Sequence, residues 1–213
     1  MSGLLDGLME QLGGERLGQL AGALGVDEDK AQSAISAALP ALLGGLANNA
    51  QKPNGAAALT AALGDHDGSV LDDPSDILAG GGSGAGILGH VLGAKQPEVA
   101  QHIAGSSGLD LGAITKLLPM LAPMVMGYLG RKQRSDGLDS GDLANMLGGE
   151  RKAIEGASPG LGGLSKILDR DGDGDMMDDI KDMAGGLLGG ASGGGGGAKG
   201  GLGGLFGKLF GRK

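Results

Sequence analysis

Apolar residues recur along the chain at helical spacing. Leu4, Leu5, Leu8, Met9 and Leu12 fall on one face, behind Ser2 as an N-terminal cap. Leu17, Leu20 and Leu24 continue the stripe, and Gly25 supplies a C-terminal stop. Asp27 then caps a longer helix whose inner face carries Ile35, Ala38, Leu39, Leu42, Leu43 and Leu46. Runs of alternating Val, Ile, Thr and aromatic residues are missing, so no strands are expected. The pattern predicts an all-α fold.

The pattern occurs twice. LAGALGVD at 20–27 resembles IAGSSGLD at 103–110. With a shift of four residues, ISAALPALLGGLANN at 35–49 resembles ITKLLPMLAPMVMGY at 114–128, which pairs Pro40 with Pro119. DHDGSVLDD at 65–73 matches DGDGDMMDD at 171–179. The order helix, proline-bearing helix, acidic turn is therefore duplicated. Two tandem, pseudo-repeated helical units are predicted, at 1–80 and 83–184. The prolines should kink or break the long helices, since each removes an intrahelical donor. Residues 185–213 form a third region. Its stretch 189–204 is Gly-rich enough to act as a flexible, disordered coil with a reach of roughly 20–24 Å.

Composition narrows the chemistry. Of 213 residues, 49 are Gly and only 3 are aromatic, so the core must be built from Leu, Ala, Ile, Val and Met. Met120, Met124 and Met126 are expected as flexible core filling. The charge is −8, from 25 acids and 17 bases, and it is uneven. Residues 185–213 hold four bases and no acid, leaving 13 bases against 25 acids elsewhere. An acidic body repels phosphate, so no nucleic-acid partner is expected. Cys is absent, which removes disulfides and thiolate chemistry. The start of the chain lacks the features of a secretory signal. The longest apolar stretch, Leu117–Leu129, is thirteen residues with two prolines, short of the roughly 20 a span needs. A cytoplasmic location without a transmembrane helix is the expectation.

The repeated units, the Leu-Pro apolar helix and the DGDG turn that follows it together resemble the YidB-like bacterial family of unknown function, over roughly 1–190. The resemblance implies a small all-helical fold. It implies no activity and no catalytic residues.

Two segments are candidates for function. In 169–179, Asp169, Asp171 and Asp173 take positions 1, 3 and 5 of a calcium loop, with Gly174 at 6 and Asp175 at 7. Calcium wants six to eight hard oxygen ligands. Position 12 is Ile180 where a bidentate Glu belongs, and Asp178 and Asp179 could close the shell only in a changed geometry. Any Ca²⁺ binding should be weak, at about 10⁻⁴–10⁻³ M. The plain alternative is a solvated Asp-Gly turn. The first-copy loop, with Asp65, Asp67, Gly68 and Ser69, is a poorer match because its position 1 is Leu63.

The second segment is the C-terminal tail. In a helix, Leu205, Phe206, Leu209 and Phe210 would share one face, with Lys208 and Arg212 elsewhere. Such a basic amphipathic segment suits a membrane surface, a partner protein or self-association. The plain alternative is a frayed terminus. Catalysis finds no signature. His66, His90 and His102 are isolated, and neither a G-x-S-x-G elbow nor a phosphate-cradling loop is present. His66 is expected to face solvent, and His90 to sit at the packing edge of a helix. The sequence reads as a non-enzymatic helical binding or structural protein, calcium-stabilised through 169–179. The alternative is a peripheral docking protein acting through its tail.

Overall fold

The computed structural model describes residues 3–80 and 82–157. Within them the chain is helical and without strands. The order is α1 (Leu4–Gln11), α2 (Glu15–Leu24), α3 (Glu28–Gln51), α4 (Gly55–Gly64), two single-turn helices α5 (Ser69–Asp72) and α6 (Ser75–Leu78), then α7 (Gly84–Leu92), a 3₁₀ turn (Gly93–Lys95), α8 (Gln96–Ser107), α9 (Leu111–Asp136) and α10 (Ser140–Ala157).

The helix junctions repeat as the sequence does. α2 ends at Gly25 and α8 at Gly108, both left-handed, at φ 69° and 71°. Only glycine takes that conformation without steric cost. Two residues later Asp27 and Asp110 open α3 and α9 from extended backbone. The capping itself differs. Asp110 accepts from the Ala113 N–H at 3.0 Å, whereas the Asp27 side chain makes no such bond. Glu28 and Asp29 crowd the same turn, so the positive end of α3 is compensated by charge without that bond. The next turn repeats as well, with left-handed Asn54 before α4 and left-handed Gly137 after α9.

Counting from the caps corrects the pairing of prolines. Pro40 lies thirteen residues past Asp27, and Pro123 lies thirteen past Asp110. The structural partner of Pro40 is therefore Pro123, and no four-residue shift is needed. Burial follows this register: Ala31, Ala34, Ile35 and Ala38 correspond to Ile114, Leu117, Leu118 and Leu121, all buried. Neither helix breaks. α3 runs through Pro40, and α9 through Pro119 and Pro123. Pro40 and Pro123 are themselves buried, so packing offsets the lost backbone bond. Pro123 leaves the carbonyl of Pro119 without its usual donor. The start of α7 packs on that carbonyl, close enough that a Cβ on Gly84 would lie 1.9 Å from the oxygen.

The two copies interlock. One apolar cluster extends from Leu4 in α1 to Ile154 in α10. α3 packs against α8 and, most extensively, α10, while α4 packs on both α3 and α9. Met120, Met124 and Met126 are buried in this cluster. Two polar clamps hold α10 in place. Glu150 accepts from the N–H groups of Leu4 and Leu5, each at 2.9 Å, closing the N-terminal turn of α1. Arg151 donates to Asn48 Oδ1 at 2.6 Å, and Asn48 is a buried polar residue in the last turn of α3. Ser2, the expected cap, lies outside the described residues. By length and composition α9 could cross a membrane, but 67 % of its apolar window is buried inside the fold.

Candidate functional site

The turn Lys52-Pro53-Asn54 reverses the chain so that α4 folds back beside α3. The reversal is tight. The Gly55 N–H donates to the Lys52 carbonyl at 2.8 Å, and a Cβ on Gly55 would lie 1.8 Å from the Asn49 carbonyl oxygen. On the other flank α7 approaches α3 at Gly45, where a Cβ would lie 2.7 Å from the Val91 carbonyl oxygen.

Asn49 ties these parts together. The last carbonyls of α7 have no intrahelical donor. The Asn49 amide donates to two of them, His90 at 2.7 Å and Val91 at 3.3 Å. Its own oxygen accepts from Lys52 Nζ at 3.0 Å. The amide orientation is set by these partners, and Lys52 retains two further donors.

Between these elements lies a groove of about 680 Å³. Leu46, Leu59, Ile87, Val91 and Met126 form its apolar floor. Asn49, Lys52, Asn54, His66, Ser83 and His90 form its polar rim. Among the described residues no carboxylate lines it, although the chain carries 25. Ligand clefts typically occupy about 300–1,000 Å³, with apolar walls and a few polar groups that orient the ligand. The groove matches that description and can hold an apolar body with a polar end.

The sequence did not point to this place. His66 was expected in solvent, yet it is half-buried at the rim. α9 reaches its backbone because residue 130 is Gly: a Cβ there would lie 2.1 Å from the His66 carbonyl oxygen. His90 is exposed on α7 and contributes to the rim. The available signals were the pair Asn48-Asn49 in an apolar helix and the turn sequence KPNG at 52–55. Neither says which helix will stand opposite.

The candidates singled out from sequence lie elsewhere. Asp169, Asp171, Asp173, Asp175, Asp178 and Asp179 fall outside the described residues, as do Leu205, Phe206, Lys208, Leu209, Phe210 and Arg212. The first-copy acidic turn is described, and two of its acids are engaged locally. Asp67 accepts from the Ser69 N–H at 2.8 Å, and Asp73 from the Ser75 N–H at 3.1 Å. Bonds from Ser69 and Ser75 hold the respective carboxyls below their ordinary range. Asp72 is ion-paired with Arg131 of α9. Among the described residues no group of three or more His, Cys, Asp or Glu side chains gathers to hold a metal.

The model of a bacterial protein family of unknown function, DUF937, matches residues 6–132. That span takes in α1 to α8 and most of α9. Neither a curated protein nor a solved structure matches the chain.

Proposed function

We propose, from the premise that the chain belongs to this bacterial family of unknown function, that it is a non-enzymatic helical binding protein and that it binds in the groove between α3, α4 and α7. The observation that carries the reading is the combination of an aliphatic floor with a rim that, among the described residues, is donor-rich and holds no acid, in an otherwise acidic protein.

The test uses N-phenyl-1-naphthylamine, an uncharged apolar dye that brightens when it leaves water. The full chain should give a saturable rise in fluorescence. Ala58→Trp places an indole at the groove from an exposed position, and it should abolish the rise while keeping the melting temperature. Gly86→Phe is a second block, at a position where a Cβ meets nothing within 4 Å. Dye binding that survives both variants overturns the reading. Deletion of residues 199–213 should leave dye binding intact. Loss on that deletion moves the activity to the Phe-bearing tail and rejects the groove.

A second reading concerns stability. Residues 169–179 keep the ligand residues of a calcium loop at positions 1, 3 and 5 and its turn glycine at 6, which favours a weak calcium-stabilised turn downstream of α10.

A further inference from the structure

Resting on the groove reading above, we infer that the ligand is a single-chain fatty carboxylate, with its alkyl chain on the apolar floor and its head group at Lys52. The floor is built from Leu46, Leu59, Ile87, Val91 and Met126. It offers no Phe, Tyr or Trp ring for a planar ligand to stack on. Aliphatic walls instead reward area removed from water, which a flexible alkyl chain supplies along its whole length. The rim selects the sign of the head group. Lys52 is half-buried beside the floor and uses one of its three donors on Asn49. The Asn49 amide is itself committed to the end of α7, which fixes where that ammonium stands. A carboxylate there gains charge-assisted hydrogen bonds. A cationic head would meet Lys52 with no acid among the described lining residues to compensate it.

The experiment is calorimetric titration of the full chain with octanoate, decanoate and dodecanoate, each below its micellar range. Dodecanol and dodecyltrimethylammonium serve as head-group controls. Binding should be one to one. Each pair of added methylenes should tighten it about fifteenfold, as burial of alkyl surface dictates. Dodecyltrimethylammonium should not bind. Lys52→Gln should weaken dodecanoate about tenfold and leave dodecanol unchanged. Ala58→Trp and Gly86→Phe should remove the binding of both, with melting curves showing that each variant is folded.

The failures are distinguishable. Dodecanol binding as tightly as dodecanoate, with Lys52→Gln silent, overturns the head-group assignment and leaves the groove as an apolar site. Affinity that ignores chain length overturns the placement of the alkyl chain. No saturable binding by any amphiphile, together with no dye binding, overturns this inference and the groove reading alike.

Discussion

Glu150 gives the sharpest test of how the described helices are held together. Its carboxylate accepts from the Leu4 and Leu5 N–H groups at 2.9 Å each, in a partly buried setting. These are the first two amides of α1, which have no partner inside their own helix. The Gly3 N–H before them is taken by Asp6 at 3.2 Å. Glu150→Ala therefore uncaps α1 and loosens α10 in one step. Replacing an ordinary N-terminal cap by Ala costs about 1 kcal/mol, and up to about 2. Bonds to a charged group run at about 1.5–3 kcal/mol each, but water can reach part of this site and recover some of that. The expected loss is about 1.5–2.5 kcal/mol. For a chain of this size that lowers Tm by about 3–10 °C. Glu150→Gln keeps an acceptor and loses the charge, so it should fall between. Glu155→Ala is the control, since Glu155 is exposed and only 3.7 Å ion-paired with Arg151. It should change stability by less than about 0.5 kcal/mol. Urea unfolding supplies the energies, and amide exchange at Leu4 and Leu5 supplies the location. If Glu150→Ala matches the Glu155→Ala control, or if exchange at those two amides is unchanged, the clamp does not stabilise the fold.

Two further predictions concern other parts of the chain. Gly84→Ala and Gly89→Ala lie in the same helix and should act in opposite directions. The first drives a Cβ to 1.9 Å from the Pro119 carbonyl oxygen, the second meets nothing within 4 Å. Thermal melts should show a loss of about 1–3 kcal/mol for Gly84→Ala and a gain of up to about 1 kcal/mol for Gly89→Ala. For the loop at 169–179, millimolar calcium should raise Tm, and Asp171→Asn with Asp173→Asn should remove the rise. A parent protein whose melt is the same in calcium and in chelator rejects the calcium-stabilised turn.

Much of the fold is legible in the sequence because its signals are local. Gly25 followed by Asp27, and Gly108 followed by Asp110, mark helix ends by backbone conformation and need no tertiary knowledge. The duplication is legible for the same reason. The register of the long helices is harder, because Pro119 and Pro123 both follow apolar residues and only the caps decide between them. The groove was hidden for a different reason. Its walls come from α3, α4 and α7, and its depth depends on Gly45 and Gly55 lying against carbonyls elsewhere in the chain. In a chain with 49 Gly, no one-dimensional pattern singles out the few that mediate close approach.

Duplication also raises the question of why the groove should lie beside one of the two long helices, α3, at the start of the second copy. The counterpart of Gly45 answers it. Gly45 stands eighteen residues past Asp27, and eighteen past Asp110 stands Tyr128. On α3 the missing side chain lets α7 of the second copy close in. In the second, a half-buried phenol occupies the corresponding position on α9, and its hydroxyl reaches α1 at Gly7, where an added Cβ would lie 2.0 Å from it. Burial raises the Tyr128 hydroxyl pKa above its ordinary range. The following helices diverge too, since α4 has 10 residues and α10 has 18. The longer helix covers α3 and clamps α1, whereas the shorter one leaves the floor between α3 and α7 open. A repeat that needed only stability could have kept both positions alike. Here one position carries the sole Tyr, Phe or Trp of the described residues and the other carries no side chain, so the two long helices have diverged: α7 closes on α3 at Gly45 beside the groove, and a ring fills the corresponding place on α9.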